Sequence, residues 1–135
     1  MTNGLNDLIQ RITNAILRQE GMGPDHANPG NLRDCPWFPG NGVGKRYYPG
    51  TDPTEMVRYV GGFWVPRSRA EGVAGAAHVV ALRIAEGQSL RELISAWAPP
   101  SDHNDTEAYI AHVQQWAGIP DVNLPLWNYI LDLPS

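Results

Sequence analysis

The chain has 135 residues, 42% of them hydrophobic, with five Trp, twelve Pro and fourteen Gly. That length suits one domain with a real core, and the Gly and Pro content calls for shaped loops without reaching the level of disorder. A net charge of −4 argues against nucleic-acid binding, a single cysteine (Cys35) excludes an internal disulfide, and no apolar run reaches the ~18 residues of a membrane span.

Leu5, Leu8, Ile9, Ile12, Ile16 and Leu17 recur at helical spacing, predicting a helix over 3–20 with Asn3 as cap and Gly21 as stop. Glu20 then stands at a helix C-terminus, where the negative end of the dipole favours a protonated carboxyl. That is the state a general acid holds near neutral pH; the plain alternative is a solvated acid on a surface helix. Residues 21–62 break all periodicity and carry aromatics at Trp37, Phe38, Tyr47, Tyr48 and Tyr59. They predict turns, short strands and an irregular loop and hairpin insertion over about 21–66. Within it, Asn28-Pro29-Gly30-Asn31 predicts a tight turn opening a β-hairpin, with Gly30 in a backbone geometry that a side chain would forbid. Cys35, between Asp34 and Pro36, has no neighbouring base and is set aside as a nucleophile.

Phe63-Trp64-Val65 predicts a short strand stopped by Pro66. Val73, Ala76, Ala77, Val80, Ala81 and Ile84 mark a helix over 69–86, its small residues suited to close packing against another helix. Ser89 and Glu92 form a capping box for a helix through Trp97, ended by Ala98-Pro99-Pro100. A further helix runs from Asp105 to Ala117, with Tyr109, Ile110, Val113 and Trp116 on its face and Gly118 as stop, and a last turn uses Leu126, Trp127 and Ile130. Trp97, Trp116 and Phe63 are assigned to packing. The sum is a mostly helical α+β fold with a small hairpin region, taken as one domain over 1–135. His103 and His112, with Asp102 and Asp105, match no ligand spacing, so no metal is expected, nor any other cofactor.

Four stretches in order, Glu20-Gly21-Met22, Asn28-Pro29-Gly30-Asn31-Leu32-Arg33, Phe63 to Gly72, and Trp97 to Ile110, resemble the small lysozyme-like muramidases and lytic transglycosylases of phages and bacteria. The resemblance covers roughly residues 12–126. It implies a lysozyme-like fold, with a catalytic Glu at the end of the first helix and a turn and hairpin over a cleft that holds a peptidoglycan strand. Glu20 takes the acid's place. Asp34 is the first candidate for a second carboxylate, with Asp25, Asp52 and Glu55 as alternatives in the same loop region. Asn28 and Asn31 are candidates both for turn formation and for bonding an N-acetyl sugar, and Arg33 for pairing with Glu20 or Asp34. Trp37, Tyr47, Tyr48 and Trp64 are candidate stacking rings.

Tyr109-Ile110-Ala111-His112-Val113 resembles the Tyr-x-x-x-Val helix of the transglycosylases, which close an anhydro ring with a single Glu, and the resemblance implies that Tyr109 lines the substrate cleft. Gly21, however, stands where many of them carry Ser, so hydrolase and transglycosylase outcomes both stay open. A rival from another class is a glycan-binding or phage structural module without catalysis. Another is an unrelated helical domain, in which Glu20 would be fully exposed. A monomer is expected. The N-terminus lacks a basic-then-apolar leader, so delivery to the wall by another route is expected.

Overall fold

Leu8, Ile12, Ala15 and Ile16 form one stripe at 3.6-residue spacing, and all four are buried on α1 (Gly4–Glu20) in a computed structural model. The structure describes residues 4–21, 26–33, 35–37, 57–60 and 62–130. Asn3, the expected cap of α1, lies outside them. Leu5 departs from expectation: it is 40% exposed, because it stands in the first turn at the helix end.

The chain continues through β1 (Arg58–Val60), β2 (Phe63–Val65), α2 (Arg69–Ala85), α3 (Leu90–Trp97) and α4 (Thr106–Ala117), with 3-10 turns at Pro100–Asp102 and Leu126–Tyr129. The fold is mostly helical with a small two-stranded antiparallel sheet. Among the described residues, no helix is long and apolar enough to cross a membrane. Two compact units result: a helical unit of Met1–Gln19 and Val80–Ser135, and a hairpin unit of Glu20–Val79.

In the helical unit, the α1 stripe packs with Val80 and Ile84 of α2, Leu93 and Ile94 of α3, and Ile110 and Val113 of α4. Each such Leu, Ile or Val contributes about 1.5–3 kcal/mol on burial. Helix ends are closed by local chemistry. The Ser89 hydroxyl accepts from Glu92 N while the Glu92 carboxylate accepts from Ser89 N, the expected capping box. Gly87 ends α2 at φ 82°, with Gln88 N donating back to Arg83 O, and Gly118 ends α4 at φ 70° with Ile119 N donating to Gln114 O. Arg11 of α1 donates to Ala117 O, placing a cation at the negative end of α4.

In the hairpin unit, Tyr59 pairs with Trp64 and Val60 with Phe63. Among the described residues its core holds Cys35, Val57 and Trp64, flanked by Leu32, Trp37 and Tyr59. Of the α2 face expected to pack on another helix, Val80 and Ile84 join the core of the helical unit, while Gly72 and Gly75 meet a turn and a ring. A Cβ at Gly72 would lie 1.8 Å from Ala27 O, and one at Gly75 would lie 2.7 Å from the Trp64 ring. The missing side chains leave room for a backbone turn and an indole.

Candidate functional site

Glu20 is the last residue of α1, and Gly21 breaks the helix at φ 65°. The carboxyl is half-buried, and burial raises its pKa above the ordinary carboxylate value. The helix C-terminus acts in the same direction, since its dipole disfavours an anion. A fully exposed Glu20, the mark of an unrelated helical domain, is not what the structure has.

The Asn28–Asn31 turn belongs to the same hairpin unit as Glu20. Asn31 N donates to Asn28 O at 3.0 Å, closing the turn with Pro29 and Gly30 at its centre. Asn28 is buried, and its side chain is fully used: Oδ1 accepts from Leu32 N at 3.0 Å, while Nδ2 donates to Leu32 O at 2.9 Å and Trp64 O at 3.0 Å. Of its two candidate roles, Asn28 fills the structural one. The left-handed residue is Asn31, at φ 54°, and not Gly30 as expected. Asn tolerates that region because its short polar side chain bonds locally. Asn31 is exposed and Gly30 is buried. The turn also does not open the hairpin itself. It lies along β2, where Trp64 N donates to Leu32 O.

The start of α2 holds that turn from the other side. Ser68 Oγ accepts from Glu71 N, the Glu71 carboxylate accepts from Arg67 N, and Arg69 Nη1 donates to His26 O at 2.9 Å. Ser68 and Gly72, part of the Phe63–Gly72 match, thus cap a helix and admit the backbone at Ala27. The signal for Gly72 and Gly75 was present as small residues three apart on a helical face. The sequence does not say what approaches them.

The remaining candidates divide. Arg33 is exposed, with its guanidinium 5.0 Å from the Phe63 ring centroid. Trp37 is half-buried and meets His78 edge-on at 4.7 Å, a contact no spacing suggested. Trp64 is a correction: at 1% exposure, set against Gly75 and Pro36, its ring has no face to offer a sugar. Tyr109 is likewise a core residue of the helical unit at 4% exposure, because it shares the buried face of α4 with Ile110 and Val113. Asp34, Tyr47 and Tyr48 lie outside the described residues, as do Asp25, Asp52 and Glu55.

The Trp97–Ile110 match is built as a helix connector. Asn104 Nδ2 donates to Pro99 O, the Asp105 carboxylate accepts from Ala108 N, and the buried Thr106 hydroxyl donates to Ala98 O at 2.7 Å. Among the described residues, no three His, Cys, Asp or Glu side chains gather to hold a metal. What the hairpin unit presents is a half-buried carboxyl of raised pKa, a braced turn with Asn31 and Arg33 at its surface, and part of one indole. Comparison with protein-family models, with curated proteins and with solved structures gives no match.

Proposed function

We propose that the protein is a lysozyme-like glycosidase that cleaves the β-1,4 glycan of peptidoglycan with Glu20 as general acid. The observation that carries this reading is Glu20 itself: a half-buried carboxyl at a helix C-terminus whose burial favours the protonated form. Proton donation to the leaving oxygen contributes roughly 10²–10⁴-fold. In this reading Asn31 and Arg33, at the surface of the turn that Asn28 braces, contact the N-acetyl sugar, and Trp37 offers an apolar ring edge. Asp34 would decide the outcome: a carboxylate about 5 Å from the acid supports retention, one about 6.5–9.5 Å away admits a water. Without it, the substrate's acetamido group serves and the product is an anhydro sugar.

The test is mass analysis of fragments released from purified peptidoglycan by the wild type and by Glu20→Gln. Fragments from the wild type alone support the reading, and reducing or anhydro ends assign the mechanism. A second reading, a glycan-binding module without catalysis, draws on the burial of Trp64 and Tyr109, which removes two candidate sugar contacts. It predicts that the wild type binds peptidoglycan and releases nothing.

A further inference from the structure

Helix α1 is gripped near its C-terminal end by side chains of α4. Gln19 Oε1 lies 2.7 Å from His112 Nδ1, hydrogen-bond distance for the tautomer that donates from Nδ1 to the amide oxygen. The His112 ring stacks on Trp116, with centroids 5.3 Å apart and planes 23° from parallel. The Arg18 guanidinium sits 4.1 Å from the centroid of the same indole. The two residues immediately before Glu20 are therefore tied to one patch of α4.

Such a tie matters because of where it falls. The last turn of a helix has carbonyls without intrahelical donors and is the first to fray. Gly21, left-handed immediately after Glu20, ends the helix there. We infer that Arg18, Gln19, His112 and Trp116 form a clamp that fixes the last turn of α1 and so positions Glu20. His112 and Gln19 act through that turn and are positioning residues. The inference deepens the reading of Glu20 as general acid and rests on it for its catalytic meaning. His112 is exposed and Gln19 half-buried, so their bond adds little to global stability and can be removed without unfolding the chain.

The variants are His112→Ala and Gln19→Ala, with His112→Asn keeping a donor close to the position of Nδ1. Three experiments are run: steady-state kinetics of glycan release for kcat and KM, amide exchange over residues 17–21, and titration of the Glu20 carboxyl followed by NMR. The alanine variants are expected to lose about 10- to 100-fold in kcat with KM within about twofold, the scale for a misplaced catalytic group. Exchange in the last turn should quicken, and Glu20 should titrate at lower pH as its carboxyl gains water. His112→Asn should restore most of each. Unchanged exchange and an unchanged Glu20 titration in the alanine variants would overturn the clamp, as would an equal loss in His112→Asn. A wild type that releases no fragments defeats the glycosidase reading instead, while exchange and titration still decide the clamp.

Discussion

Glu20 and Asn28 are polar side chains put to opposite uses by burial. Both polar atoms of the Asn28 side chain are bonded, so its removal takes one hydrogen bond each from Trp64 O, Leu32 O and Leu32 N. Asn28→Ala is expected to cost about 1–3 kcal/mol in chemical denaturation, with activity lost in proportion to the folded fraction. Glu20 is partly desolvated, so the fold penalises its charge. A carboxyl whose folded pKa is raised costs nothing below its unfolded pKa, and the penalty grows as pH rises toward and through the folded value. Glu20→Gln should therefore melt above the wild type near neutral pH, with the gap closing as pH falls below about 4. A gap of opposite sign would mean that the protein holds Glu20 as an anion. Under the proposed role of Glu20 as general acid, turnover should decline as pH rises through the raised value.

At the scale of elements, α2 shows why helix propensity alone misleads. Ala is favoured over Gly in a helix interior by about 1 kcal/mol, so Gly72→Ala ought to stabilise. At Gly72, however, the added carbon meets a backbone oxygen at 1.8 Å, and a carbonyl has no rotamer by which to escape. Gly72→Ala is expected to lose about 1–3 kcal/mol or more. Gly118→Ala is the contrast. Its Cβ would meet only Arg11 Nη1 at 3.6 Å, and the cost, about 1–2 kcal/mol, comes from the left-handed φ. Thermal unfolding of the two variants separates crowding from backbone strain: an added Gly72→Ser should worsen the first defect, whereas Gly118→Asn should relieve most of the second.

For the whole molecule, the charge is unevenly shared. The hairpin unit carries six basic and six acidic residues, whereas the helical unit carries four basic and eight acidic, so the entire excess of −4 belongs to the helical unit. An acidic protein acting on an anionic wall meets repulsion, yet here the unit with the candidate site is balanced. Screening acts over a Debye length of about 10 Å at 0.1 M salt. Glycan release should therefore rise modestly as salt increases from low ionic strength. A fall with salt would point to attraction through basic side chains such as Arg33 and Arg58.

Much of the architecture was legible because its causes are local. The apolar stripe of α1, the Ser89–Glu92 box, the start of α4 at Asp105 and the Gly118 stop depend on residues within a turn or two, and each appears where its pattern lies. The strand at Phe63–Val65 and the helix from Arg69 follow for the same reason. The position of Glu20 at a helix end was equally readable, since Gly21 alone dictates it. What each polar or aromatic group does was decided by contacts distant in sequence. Asn28 became a brace through Trp64, thirty-six residues away, and Trp64 became core because Gly75 makes room for its ring. Tyr109 and Trp37 are rings of the kind that bind sugars, but the helical core buries the first and His78 packs beside the second at 4.7 Å. Periodicity reports which face a side chain takes, and burial and partners are properties of what the rest of the chain brings to that face.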